Sequence, residues 1–183
     1  TTFLKAQAGY ALSRKAPHRT NKPIVASEKN ELWAVDLIDM WNDEDNQVVE
    51  QRGRVQMRTQ HRYIMTVVDV FSRKAWLEPL SKKETAEHTT PAFERILARA
   101  GVTPRSLMMD QGTEFRGEFA RMLRARKIKA RRIRSHTPQA NGIVEAENQQ
   151  VRRLLSEMWL KSRNRTWWSL LPKVEELRNE SYR

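Results

Sequence analysis

From Glu31 onward, short apolar runs alternate with longer stretches in which apolar residues recur at helical spacing. Leu32-Trp33-Ala34-Val35-Asp36-Leu37-Ile38 is one such run, with a carboxylate in its middle. Tyr63 to Val70 is β-branched and nearly continuous, the pattern of a strand covered on both faces. Ala75 to Leu80 follows after Ser72-Arg73-Lys74, close enough for a hairpin. The spacing of Phe93, Ile96 and Leu97 predicts a helix to about Ala100, with Gly101 just past its end. Two starts are open for it: Thr90-Pro91 as cap and first helical residue, or a start near Thr85 that requires a kink. Ser106 to Asp110 reads as a strand, Glu114 to Arg126 as a basic helix, and Ile128 to Ile133 as a strand. Ser135 to Asn141 is loop by composition. A long helix from about Gly142 buries Val144, Val151, Leu154, Leu155 and Met158, and a last helix runs near Trp167 to Glu180. Trp33 and Trp76 belong to strands and to the core, whereas Trp159, Trp167 and Trp168 suit a core, a dimer contact or a stacking platform, in that order.

Two segments stand outside this rhythm. Asp39 to His61 turns from acidic (Asp43, Glu44, Asp45) to basic (Arg52, Arg54, Arg58), as a solvated excursion would. Residues 1–30 show no sustained period and are broken at Lys15-Ala16-Pro17 and Lys22-Pro23. They read as a basic arm or linker ahead of one α/β domain spanning 31–183.

Charge sharpens the picture. Against 22 Asp and Glu stand 34 Lys and Arg, a formal net charge of +12, which predicts attraction to polyanions and above all to nucleic acid. Nine of the positive charges lie between Arg116 and Arg134, opposed only by Glu118. That run leads into the 135–141 loop, so Arg131, Arg132 and Arg134 are candidate nucleic-acid contacts. The chain has no cysteine, which excludes disulfides, thiol catalysis and thiolate zinc sites and fits a reducing compartment. No window approaches about 18 consecutive apolar residues, the length of a membrane span. Thr1-Thr2-Phe3-Leu4-Lys5 lacks the apolar run of a secretory signal, so an intracellular setting is expected.

Three carboxylates occupy informative places: Asp36 in the middle of a strand, Asp110 at a strand's end, and Glu145 in the first turn of a helix. A carboxylate inside an apolar strand is costly unless paired or bound to a metal. Hard cations such as Mg²⁺ take oxygen ligands, the donor type that metal-assisted phosphoryl transfer uses.

The words around these residues go further. Trp33-Ala34-Val35-Asp36, Val68-Asp69-Val70-Phe71-Ser72-Arg73, Asp110-Gln111-Gly112-Thr113-Glu114-Phe115 and His136-Thr137-Pro138-Gln139-Ala140-Asn141-Gly142-Ile143-Val144-Glu145 occur in this order. Together they resemble the catalytic core of retroviral and retrotransposon integrases, the DDE transposase group. The resemblance runs from about Trp33 to Arg153. It implies a ribonuclease H-like α/β fold with a central five-stranded mixed sheet flanked by helices. It places a metal-binding catalytic triad on Asp36, Asp110 and Glu145, with two Mg²⁺ or Mn²⁺ ions expected. Thirty-four residues separate Asp110 from Glu145, one fewer than retroviral integrases usually have. By the same resemblance, His136, Gln139 and Asn141 lie on a mobile active-site loop that touches DNA ends. Asn148, Gln149 and Arg152 share Glu145's helix face and become DNA contacts; the family often has a basic residue where Gln149 stands. Asp69 falls outside the triad and reads as structural.

The implied activity is metal-dependent 3′-end processing and strand transfer of element DNA. DNA ends and target DNA are the partners, the assembly is a homodimer or larger, and the setting is the nucleus or an element particle. Two alternatives share the residues: a domesticated, inactive nucleic-acid-binding scaffold, and a ribonuclease H-like nuclease that cuts without joining.

Overall fold

The computed structural model describes residues 24–40, 47–49, 55–57, 61–81, 86–133, 138–161 and 166–182, with backbone alone at 47–49, 55–57, 86–87 and 138–141. Five strands form the main sheet: β1 (Leu32–Asp39), β4 (Tyr63–Asp69), β5 (Ala75–Leu80), β6 (Ser106–Met109) and β7 (Lys129–Arg132). Their spatial order is β5-β4-β1-β6-β7. β5, β4 and β1 pair antiparallel, while β1, β6 and β7 run parallel, so the sheet is mixed as expected. The excursion after β1 contains β2 (Gln47–Val49) and β3 (Val55–Met57), a separate antiparallel pair of three residues each that the flanking charged residues concealed.

The helices are α1 (Ala86–Ala100), α2 (Glu118–Ala125), α3 (Pro138–Lys161) and α4 (Trp167–Glu180). α1 starts on the early side and carries Pro91 within it, which forfeits one backbone hydrogen bond. It ends at Gly101, whose φ of 69° suits glycine. The basic segment expected as one helix is divided: Thr113–Phe115 is a 3-10 turn, and α2 begins after Gly117 at φ 55°. α3 starts four residues before the expected Gly142. Pro138 opens it, a position where the missing N–H has no helical partner to lose, so residues 138–141 are helix and not loop.

Side-chain alternation in the strands divides the core between two faces. Trp33, Val35, Met65 and Val67 pack with Phe93, Ile96, Phe119 and Leu123 of α1 and α2. Trp33 and Trp76 meet there with ring centroids 4.3 Å apart. On the opposite face Ile38, Ile64 and Leu77 pack with Val151 and Leu155 of α3 and with Trp167, Leu171 and Val174 of α4. Trp159 and Trp168 are half-buried against the same cluster. Ala26 is buried beside Leu32, Val70 and Val144, so the domain's core reaches back to that residue.

β5 is an edge strand, and an edge leaves backbone groups open. α4 closes it with side chains. Asn179 Oδ1 accepts the Ala75 N–H at 2.8 Å and its Nδ2 donates to the Ala75 carbonyl at 2.9 Å. Glu175 Oε2 accepts the Leu77 N–H at 2.7 Å. Residues 175 and 179 are one turn apart on the helix and 75 and 77 are alternate in the strand, so the two periods match. Asn179→Ala would strand both Ala75 groups at a fully buried residue. We expect a loss of about 1–3 kcal/mol, or about 2–12 °C in Tm at this chain length; an unchanged thermal melt would contradict this role.

Candidate active site

Parallel pairing sets the site. β1 and β6 run in register with Leu32 opposite Ser106, Trp33 opposite Leu107 and Ala34 opposite Met108. Carried two residues further, that register sets Asp110, just past the end of β6, beside Asp36. Both then point to the same side of the sheet, because side chains alternate with period two. Asp36 and Asp110 line one cavity of about 50 Å³ together with Val35, Met108, Met109, Ile133 and Val144. That is room for a few atoms the size of water.

Asp36 shares its face with Ala34 and Ile38, the face that α3 covers. There Asn148 Nδ2 donates to Asp36 Oδ2 at 2.8 Å. Burial pushes the Asp36 carboxyl above the ordinary range, and the charges of Asp110 and Glu114 push it the same way. Hydrogen bonds from the Leu37 N–H and from Asn148 act in the opposite sense without reversing it. Two buried oxygens nearby have no hydrogen-bond partner among the described residues: Asn148 Oδ1, and Oγ1 of Thr66, the residue directly across from Asp36 on β4.

The turn after Asp110 is fixed locally. Gly112 N–H donates to Asp110 Oδ1 at 2.9 Å. A Cβ at position 112 would overlap the Glu114 carboxylate, so a larger residue there would have to displace the end of that side chain. Glu114 is buried, and its charge reaches Asp36. Sequence reasoning quoted this residue within its motif but gave it no role; a glutamate between Gly112 and the core Phe115 was the available signal.

The third expected carboxylate stands differently. Because α3 begins at Pro138, Glu145 lies about two turns into the helix and not in its first turn. It is exposed and does not line the cavity that the two aspartates share. Among the described residues, no group of three or more His, Cys, Asp or Glu is spaced to hold a metal ion. The structure therefore brings Asp36 and Asp110 together and leaves Glu145 apart. It is one turn from Asn148 on the same side of α3.

The expected nucleic-acid contacts divide as well. Arg131 and Arg132 are exposed on edge strand β7, paired with Met108 and Met109 of β6 and so adjacent to the strand that leads into Asp110. Arg132 Nη2 also donates to the Phe115 carbonyl at 3.4 Å. Gln149 is exposed. Arg152 is exposed too, with Nη2 donating to the Asp39 carbonyl at 3.0 Å, at the end of β1. Asn148 is half-buried and committed to Asp36, which gives it a supporting position in place of an open DNA contact. Arg134 and His136 lie outside the described residues, and for Gln139 and Asn141 the backbone alone is described. Asp69 is structural as expected: its carboxylate accepts from the Asn30, Phe71 and Ser72 N–H groups and from the Ser72 hydroxyl, stapling the β4–β5 turn.

Comparisons with known proteins converge on one family. The profile of the Integrase core domain matches residues 26–138, which include both aspartates and stop short of Glu145. The Pro-Pol polyproteins of Feline foamy virus and Simian foamy virus type 1 are 29% and 31% identical over 121 residues, 66% of this chain. The match spans about a tenth of each polyprotein. The HTLV-2 integrase catalytic core domain in complex with magnesium (trimeric form) superposes with a TM-score of 0.61 at 20% identity, covering 82% of this chain and 86% of that one. A chain of the simian T-cell lymphotropic virus intasome in complex with PP2A regulatory subunit B56 gamma gives a TM-score of 0.64 at 15% identity, with 87% of this chain and 50% of that one covered. The architecture is thus the ribonuclease H-like fold. The chain belongs to the integrase core domain family.

The raised Asp36 pKa has a stability consequence of definite sign. The folded state holds that proton more tightly than the unfolded chain, so stability falls as pH rises from the ordinary carboxylate range through the raised value. Asp36→Asn removes the half-buried charge and can still accept from Asn148 through its amide oxygen. In chelator at neutral pH its Tm should match or exceed that of the wild type, and the advantage should vanish at acidic pH; a lower Tm at neutral pH would contradict this reading.

Proposed function

We propose that this chain is the catalytic core of a DNA integrase that processes element ends and joins them to target DNA. The observation that carries the reading is the desolvated Asp36 facing one cavity with Asp110. A hard divalent cation answers that arrangement: two carboxylates whose charges oppose one another, plus unpartnered oxygens of Asn148 and Thr66 close by. Mg²⁺ commonly takes only one or two carboxylates and completes its shell with water and substrate phosphate, so a closed three-carboxylate cage is not required. Asp36 and Asp110 are the residues that would hold Mg²⁺ or Mn²⁺ in this arrangement; a second ion with Glu145 as third ligand would require that exposed carboxylate to be brought to the cavity. When bound, the metal supplies charge neutralisation at the attacked phosphate and activation of the attacking oxygen.

The chain's own groups do the rest. Asn148 fixes the Asp36 carboxylate, and Gly112 fixes that of Asp110. Arg131 and Arg132 offer phosphate contacts beside the strand that carries Asp110, and Arg152 offers another at the end of β1. In the first step water attacks a phosphodiester near an element end, one P–O bond breaks, and a 3′-hydroxyl is left. In the second, that oxygen bonds to a target phosphorus while the target's own P–O3′ bond breaks. Each phosphodiester made replaces one broken, so no external energy source is needed. No covalent protein–DNA intermediate is required, so the missing cysteine is no objection. Element ends and target DNA are the partners, in a homodimer or larger assembly acting in the nucleus or an element particle.

The exposed position of Glu145 favours a second reading, a DNA-binding scaffold without turnover. A joining assay with labelled element ends, target DNA and Mg²⁺ or Mn²⁺ separates the readings. Joining by the wild type, reduced at least about 100-fold in Asp110→Asn with the fold intact, is the expected result. Salt-dependent DNA binding without cutting would establish the scaffold, and cutting without joining would establish a nuclease. The basic surface is tested by Arg131→Ala/Arg132→Ala, which should weaken DNA binding uniformly across sequences and lower the salt slope by about one to two units; an unchanged slope would remove these residues from the interface.

A further inference from the structure

The stripe by which α3 packs on the sheet contains an anomaly. Val144, Val151 and Leu155 are buried at helical spacing, but the positions between Val144 and Val151 that should continue the stripe hold Glu147 and Asn148. Glu147 is fully buried. α4 has a matching exception: Trp167, Leu171, Val174 and Arg178 are its buried residues, so a guanidinium occupies the last apolar position. The two exceptions meet. Arg178 Nε and Nη2 donate to the two carboxylate oxygens of Glu147, with side chains 1% and 3% exposed. Arg178 also lies over the Tyr182 ring, 4.2 Å from its centroid. Its neighbour Asn179 is the residue bonded to Ala75 on β5, and Gln150 Nε2 donates to Ser181 Oγ at 3.3 Å.

A buried ion pair is weak evidence for stability, because well-packed apolar residues of similar volume often serve as well. What such a pair supplies is direction: a bidentate contact is satisfied at one rotation and one register, whereas apolar packing tolerates several. On one side of Glu147 is Asn148, bonded to Asp36, and two residues before it is Glu145. We propose that the Glu147–Arg178 pair is a positioning device that sets the rotation and register of α3, so that Asn148 meets Asp36 and Glu145 faces the same side. The polar path runs from the β5 edge through Asn179 and Arg178 to Glu147, Asn148 and Asp36. Its catalytic consequence rests on the integrase reading; its structural content does not.

The test replaces both charges at once, since removing one would leave the other buried alone. Glu147→Leu/Arg178→Leu is the first variant and Glu147→Met/Arg178→Met the second. Glu157→Gln, which breaks an exposed ion pair with Arg153 on the same helix, is the control. The direct readout is the Asn148 side-chain NH₂ pair in ¹⁵N–¹H spectra, identified by its loss in Asn148→Ala. In the wild type it should exchange slowly with solvent. In a cooperatively folded apolar variant it should move to the shift and exchange rate of a free amide, while the control stays like the wild type. Joining should fall about 10- to 100-fold in kcat with KM for DNA ends unchanged. A protected Asn148 pair in a folded variant would overturn the proposal. So would failure of both variants to fold, which would make the pair a requirement of the fold. If the wild type joins nothing, the integrase reading fails, and the Asn148 signal still decides the positioning role.

Discussion

A half-buried carboxylate in the middle of a central strand is the constraint around which this molecule is arranged. Asp36 is a destabilising choice for its place: burial and the neighbouring charges of Asp110 and Glu114 all disfavour its ionised form. A fold keeps such a residue only when surrounding structure over-determines it, and that pattern is characteristic of functional sites. Here the determinants are identifiable. Parallel pairing of β1 with β6 sets the second aspartate beside the first, the Gly112 N–H holds that second carboxylate, and α3 delivers the Asn148 amide.

The rest of the domain supplies rigidity on either side of that point. α1 and α2 cover one face of the sheet with aromatic and aliphatic side chains, and α3 and α4 cover the other. The edges are treated differently. β5 is closed by Asn179 and Glu175 of α4, whereas β7 presents Lys129, Arg131 and Arg132 to solvent. Charge on an open edge discourages pairing with another strand and at the same time attracts phosphate. By strand alternation Lys129 and Arg131 share their side of the sheet with Asp110, so cations that suit a nucleic-acid backbone stand beside carboxylates that suit a cation, while Arg132 lies on the other side against the Phe115 carbonyl.

Much of this was legible from the chain alone, and the reasons are local. β4 announced itself through a continuous β-branched run, β1 and β5 through short apolar runs, and the mixed sheet was implied by the family resemblance. Asp36 stood out because it interrupts an apolar run. What escaped was set by tertiary pairing. Pro138 reads as a loop residue until its place at a helix start is known, and that error also misplaced Glu145 within its helix. β2 and β3 are three residues each and were hidden by the charged residues around them. Glu147 and Arg178, 31 residues apart, look like two solvated charges; only their mutual burial shows that they complete each other's apolar stripe. Arg134 and His136 lie outside the described residues, so the role of the first rests on charge and that of the second on resemblance.

The claim that Asp36 and Asp110 form one cation site is open to direct measurement. Water-proton relaxation enhancement on titrating Mn²⁺ into the wild-type chain, without DNA, should reveal saturable binding that weakens when either aspartate becomes asparagine and disappears when both do. Binding of equal strength in the doubly substituted protein would show that the ion sits elsewhere, and the catalytic reading of this cavity would fall with it.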